Sequence, residues 1–318
     1  MNRLLRRLRR PVEPEEDVLH VPLLAAADIA GLAAQASALV NPVRMREVHD
    51  HHAGDWASRW LGRGLDFEEA RLYSPGDDIR DMDWRTTART GRPHLKIYRE
   101  ERQPIWHLVI DRGQTMRFGT RRRLKVTQAA RLATLLAFLA VERNGVVGAT
   151  LWDARDQTQP SGHGRLAALA LASAAAQPCP PMQDPPATEP LHFHDRLAAL
   201  DAALPRGARL VLVSDFSWLD ATHEALLARL ADRLDVLALR IVDPAERDLS
   251  DLGLVRFHDM ETAALRWLDT GNAQQRRACH AAFVERQAQL AECFGRAGVR
   301  YRVVGSEVDE LAPVIAHA

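Results

Sequence analysis

The run "IWHLVID" (Ile105–Asp111) decides how the rest of the chain is read. It is short and apolar, follows Pro104 and gives way to Arg112-Gly113, which suits a strand buried on both faces. After it, "TRRRLKVTQAARLATLLAFLAVERNG" (Thr120–Gly145) has helical spacing, with Thr120 as its expected N-cap and Asn144-Gly145 as its stop. The alternation then repeats. "VVGATLWD" (Val146–Asp153), "ARLVLVSD" (Ala208–Asp215), "DVLALRIVD" (Asp235–Asp243) and "VRYRVVG" (Val299–Gly305) read as strands. Between them, helices are expected over "GRLAALALASAAA", "HDRLAALDAAL", about Ala221–Leu234 and about Ala273–Arg296, with a hairpin through Phe257 and Trp267. Strands alternating with helices predict an α/β domain: a doubly wound, mostly parallel sheet with helices on both faces.

Upstream of Ile105 the pattern is different. A helix is expected over Leu23–Leu39, ended by Asn41-Pro42, followed by loop-like sequence and a strand at "HLKIY" (His94–Tyr98). The predicted organisation is a tail at 1–20, an N-terminal helical and irregular segment at 21–104, and the sheet domain at 105–318.

Composition narrows the function classes. The 318 residues are 47% hydrophobic, and 42 Lys+Arg balance 42 Asp+Glu, so the chain lacks the basic excess of a dedicated nucleic-acid binder. Only Lys96 and Lys125 are lysine, so the cations are almost all arginine. Cys179, Cys279 and Cys293 are too few and too far apart for a disulfide framework or a zinc site, and predict a reducing, cytoplasmic compartment. The longest apolar run, Leu132–Val141, is half of what spans a bilayer. The arginine-rich N-terminus has no apolar core of a secretory signal, and is read as a frayed tail or a peripheral contact with anionic lipid.

Ligands of open α/β sheets bind beyond the carboxyl ends of the strands. Three expected strands end there in aspartate: Asp111, Asp215 and Asp243. Each is either part of a site or the cap of the next helix or turn. Arg112, Arg117, Arg121, Arg122 and Arg123 surround the start of the long helix, so an anion or an acidic partner side chain is a second candidate ligand for this edge.

Asp111-x-Gly113-x-Thr115 resembles a degenerate form of the Asp-x-Ser-x-Ser loop of von Willebrand factor type A domains. "GRGLDFEEARLYSPGDDIRDMDWRTTARTGRPHLKIYREERQ" (Gly62–Gln103), with "FGTRRRLK", "VSDF" and "DPAERDL" downstream, resembles the domain-of-unknown-function 58 family over roughly residues 45 to 270. The resemblance implies a von Willebrand A-like fold and a MoxR-type AAA+ ATPase as partner. It also implies a metal-ion-dependent adhesion site, with Asp111, Thr115 and Asp215 as the matching ligands for Mg²⁺. Two departures weaken that site. Gly113 stands where a Ser hydroxyl is expected, and His194 falls where such domains carry a loop Thr. Mg²⁺ prefers oxygen, so weak binding or none is expected, improved by Gly113→Ser.

The most specific part of the resemblance is "PGDDIRDMDW" (Pro75–Trp84). Asp77, Asp78, Asp81 and Asp83 face Arg80, Arg85, Arg89 and Arg92 in number, which suits a network of ion pairs better than a metal site or a general base. The stretch is read as a brace with Trp84 packed as its anchor. Its rival is a docking surface built on Trp84 and Arg85.

Enzymatic readings find little support. Asp111 also resembles the nucleophile of haloacid dehalogenase-type phosphatases, but Gly113 replaces their general acid. His49-Asp50-His51-His52 are adjacent residues that cannot converge on one zinc ion, and neither a Gly-x-Ser-x-Gly elbow nor a phosphate-binding loop occurs. The expectation is a non-enzymatic interaction protein. Its alternative is a metal-dependent hydrolase using Asp111 and Asp215.

Overall fold

A computed structural model describes residues 21–46, 66–74, 77–99, 103–153, 155–179, 192–258 and 265–315. The basic tail, the His49–His52 run and the turn at Pro75-Gly76 lie outside the described residues. The elements, in chain order, are α1 (Ala26–Arg46), β1 (Asp66–Leu72), α2 (Trp84–Thr90), β2 (His94–Arg99), β3 (Ile105–Asp111), α3 (Lys125–Glu142) and β4 (Val146–Trp152). They continue with β5 (Gln157–His163), α4 (Gly164–Ala175), α5 (Phe193–Ala203), β6 (Arg209–Ser214), α6 (Glu224–Arg233), β7 (Asp235–Val242) and α7 (Pro244–Arg247). The last are β8 (Leu254–His258), β9 (Leu265–Asp269), α8 (Ala273–Arg296), β10 (Arg300–Gly305) and α9 (Ala312–Ile315).

The described residues form two compact units, one from those up to Arg44 together with those from Pro104 on, the other from those between. In the larger unit the sheet order is β10-β7-β6-β3-β4-β5. All neighbours are parallel except β4 and β5. Numbered along the chain this is 3-2-1-4-5-6, the doubly wound order, whose direction of winding reverses between β3 and β6.

Period-two alternation distributes the strand side chains to two cores. Trp106, Leu108 and Ile110 of β3, Val211 and Val213 of β6, and Leu237, Leu239 and Ile241 of β7 pack with α3 and α4. Val109, Leu210, Leu212, Val236 and Ala238 face the other way, toward α5, α6 and α8. Helix α3 is buried along nearly its whole length, as a helix apolar all round must be.

The sheet domain extends beyond its expected limits. Leu32, Ala33 and Ala36 of α1 join the core of α3 and α4, and Ser37 donates to Glu142 at 2.8 Å. The helix expected to belong to the N-terminal segment is therefore a layer of the sheet unit. Nor does it stop at Asn41-Pro42: the helix continues to Arg46, and Pro42 forgoes a single backbone hydrogen bond one turn from its end. Antiparallel edge strand β5, "QTQPSGH", was not expected, because it is polar on both faces and contains Pro160. An edge strand tolerates both.

In the smaller unit β1 pairs antiparallel with β2. Asp78 accepts from Arg80 N–H, while Asp83 caps α2 by accepting from the N–H groups of Arg85 and Thr86 and from the Thr86 hydroxyl. Asp77 takes a two-pronged bond from Arg71, at 2.6 and 2.8 Å, rather than from one of the four arginines counted against it. Trp84 is 66% exposed, so it is not the packed anchor of a brace. It occupies the first position of a helix of seven residues with none buried, and so has no core to enter.

Candidate functional site at the sheet switch point

The register places the site. Ile110 of β3 pairs with Val213 of β6, so the next residues, Asp111 and Ser214, end adjacent strands at one level, with Asp215 one step beyond. Asp111 and Asp215 therefore meet at the switch point, as their positions after the strands predict.

Asp111 is 2% exposed and held on both oxygens: Gly113 N–H donates to Oδ1 at 2.8 Å and Ser214 Oγ–H to Oδ2 at 2.5 Å. Ser214 Oγ itself accepts from Phe216 N–H at 3.0 Å and Trp218 Nε1–H at 3.1 Å, which directs its one proton to Asp111. Burial, and then the charge of Asp215, push the Asp111 carboxyl up to about 6 against those two bonds.

Asp215 has a different partner. Lys125, the first residue of α3, is 2% exposed, and its Nζ donates to Asp215 Oδ2 at 2.8 Å and to Glu246 Oε1 at 2.6 Å. Ser217 N–H donates to Asp215 Oδ1 at 3.0 Å, and the Thr115 hydroxyl also bonds this carboxylate. Burial alone would raise Asp215, but the Lys125 charge and these bonds override it and hold the carboxyl below its usual range. Burial likewise opposes the charge on Lys125, and the two acids reverse it, raising the amine.

Asp243, one strand further out, serves as a cap: its carboxylate bonds none of Asp111, Asp215 and Lys125, and only its backbone N–H meets Glu246. It caps α7 by accepting from Ala245 N–H at 3.0 Å, while Glu246 Oε2 accepts from Asp243 N–H at 2.8 Å in a capping box. Asp243 also accepts from the Thr120 hydroxyl, from Thr120 N–H at 2.9 Å and from Ser306 Oγ at 3.0 Å. Thr120 is thus not the cap of α3, which begins five residues later after Leu124. It ties loop 118–124 to the end of β7.

The segment after β6 is under conformational strain. Phe216 has φ of 55°, a left-handed conformation that a bulky side chain rarely adopts. It is held there by burial against Trp218 and Phe294, and by Arg286 of α8, which donates to the carbonyls of Phe216 and Leu219 at 2.8 and 2.6 Å.

The arginines divide by role. Arg112 is buried, donating to the carbonyls of Gln177 and Pro178 at 3.0 and 2.8 Å, and Arg117 pairs with Asp153 at 2.9 Å. Neither presents a surface to a partner, contrary to expectation, because both close the loop after β3 onto the protein. Arg122 and Arg123 bind Asp309. Arg121 is exposed, with Phe118 and Leu124 exposed in the same loop, and Arg85 is exposed beside Trp84. His194 lies in the first turn of α5, exposed and near His223, and does not enter the acid cluster.

Sequence reasoning missed Lys125 and Glu246. The signal for Lys125 was available: it is one of two lysines in an arginine-rich chain, on the apolar helix that follows the Asp111 loop.

A divalent ion fits these donors poorly. Asp215 Oδ2 already holds an ammonium, both Asp111 oxygens hold protein donors, and position 113 has no hydroxyl. A Cβ at Gly113 would meet Asp111 Oδ1 at 3.0 Å, so a serine there is crowded as well. Among the described residues no group of three or more His, Cys, Asp or Glu side chains is arranged to hold a metal.

Fold and site together define an open α/β domain whose strand-end acids form a buried cluster with an internal lysine at the switch point. The chain belongs to the family described as protein of unknown function DUF58, whose model matches residues 69–289. It is 29% identical over 305 residues to the uncharacterized protein Rv1480 of Mycobacterium tuberculosis, covering 94% of this chain and 93% of that protein. The same figures hold for the uncharacterized protein Mb1516 of Mycobacterium bovis. Among solved structures it is similar to the conserved hypothetical protein BatB from Bacteroides thetaiotaomicron, at 12% identity and a TM-score of 0.45, covering 67% of this chain and 96% of that one. An aerotolerance-related membrane protein from Bacteroides fragilis aligns at 11% identity and a TM-score of 0.44, covering 67% and 95%. Likenesses this distant carry over no property. Among the described residues, no helix is long and apolar enough to cross a membrane.

Proposed function

We propose that this chain is a non-enzymatic, cytoplasmic protein-interaction module that acts as partner or adaptor of a MoxR-type AAA+ ATPase during assembly or maturation of a client complex. The observation that carries the non-catalytic reading is the state of the strand-end acids. Asp111, Asp215 and Asp243 are all buried, and each has its oxygens engaged by donors of the protein itself. A nucleophile or general base needs an oxygen directed at substrate. The ATPase as partner, and a degenerate von Willebrand A-like adhesion site, rest on the resemblance of Gly62–Gln103 and Asp111–Thr115.

Binding is assigned to exposed side chains of the types in which contact energy concentrates. In the smaller unit these are Trp84 and Arg85; in the larger unit they are Phe118, Arg121 and Leu124, on the loop that Thr120 pins to Asp243. The test measures affinity for the purified ATPase with the nucleotide held constant, using Trp84→Ala, Arg85→Glu and Phe118→Ser/Arg121→Glu. At least one variant should lose tenfold or more, about 1.4 kcal/mol, at unchanged melting temperature. Wild-type affinity in all three removes this surface. Hydrolytic turnover abolished by Asp111→Asn would establish the hydrolase alternative instead.

A further inference from the structure

We propose that the Lys125 ammonium is the resident cation of the switch-point site, and that it makes the acid cluster closed to divalent ions.

The geometry is that of a cation site. A positive centre lies 2.8 Å from Asp215 Oδ2 and 2.6 Å from Glu246 Oε1, almost wholly out of solvent. Its ligands follow two different strands, Asp215 after β6 and Glu246 in α7 after β7, so the ammonium joins the ends of adjacent strands of the sheet. Glu246 is in turn fixed by its bond from Asp243 N–H, so both acids are set in place by backbone. The aliphatic stem of Lys125 leaves from the first position of α3, a helix buried along nearly its whole length. The charge is thus held inside the protein, with Lys125 2% exposed.

A divalent ion bound to Asp215 would have to share that carboxylate with a fixed ammonium at hydrogen-bonding distance. A second ligand from Asp111 would have to be an oxygen that already accepts from Gly113 or Ser214. Mg²⁺ requires near-octahedral oxygen coordination and has no such set here. The substitution of lysine for an ion also changes what the site does: an ammonium cannot exchange with the medium, so the cluster is permanently assembled.

The test uses the full chain, stripped with chelator, titrated with MgCl₂ and MnCl₂ by calorimetry and by thermal unfolding. Wild type is expected to give no saturable heat and no shift of the melting temperature up to about 10 mM metal. Lys125→Gln, which leaves Asp215 and Glu246 without their cation, should become metal-responsive, its melting temperature rising by about 3 °C in MnCl₂. Adding Asp215→Asn should erase that response. Saturable binding by wild type that Asp215→Asn abolishes overturns the proposal, and so does a folded Lys125→Gln chain that ignores both metals. If Lys125→Gln does not fold, Lys125→Arg keeps the charge and must still exclude Mn²⁺; binding by it overturns the proposal equally.

Discussion

Replacing Lys125 by methionine removes a buried charge while keeping an unbranched side chain one atom shorter. At 2.8 Å the Lys125–Asp215 attraction is about 6 kcal/mol for an effective dielectric constant near 20, and much of it is offset by the desolvation of both groups. The intact pair is therefore worth little net. Breaking it is costly, because Asp215 stays buried beside Asp111 with only Thr115 and Ser217 to stabilise its charge. The expected loss for Lys125→Met is about 3–5 kcal/mol. Lys125→Met/Asp215→Asn removes the orphaned charge and should recover about 2 kcal/mol or more of that loss, a coupling that a double-mutant cycle isolates. Urea unfolding followed by tryptophan fluorescence is suitable, since Trp106 and Trp152 are buried in the sheet unit. A Lys125→Met loss under about 1 kcal/mol, or additive effects in the cycle, would refute the claim that this lysine neutralises the strand ends.

Trp84→Ala should leave global stability within about 0.5 kcal/mol of wild type, since the indole is mostly exposed, and lower affinity for the ATPase; a drop in melting temperature would restore the brace. Gly113→Ser should lower stability by about 1 kcal/mol and confer no Mg²⁺ binding, because its Cβ crowds Asp111 while Lys125 remains in place; calorimetry and urea melts check the two parts. Burial lowers the His107 imidazole to about 4, so between pH 6.5 and 4 the unfolded chain binds this proton and the folded one does not. Stability from this group is full above pH 6.5 and lost as pH falls. The wild-type advantage over His107→Gln should therefore shrink by about 3 kcal/mol from pH 7 to pH 4, and a constant difference across that range would contradict the assignment.

Much of the architecture is legible along the chain. Strands β3, β6 and β7 are mostly apolar runs because both of their faces are buried, and an aspartate ends β3 and directly follows β6 and β7 at the edge where parallel strands expose their carboxyl ends. Those features depend on local pattern, which a linear reading contains. The features that escaped it depend on contacts between distant residues. Strand β5 is polar and interrupted by proline, and becomes a strand only by pairing with the edge of β4. Helix α1 looks like part of a separate segment until Leu32, Ala33 and Ala36 are seen in the sheet core. The site shows the same division. Asp111 and Asp215 could be placed together from their positions after adjacent strands, but whether they hold a metal, a guanidinium or nothing is not encoded in spacing. Lys125 reaches Asp215 across 90 residues and Glu246 across 121. Charge pairing in a buried site is decided by which side chains the fold brings within 3 Å, and only the assembled sheet brings one lysine to the acids of two strands.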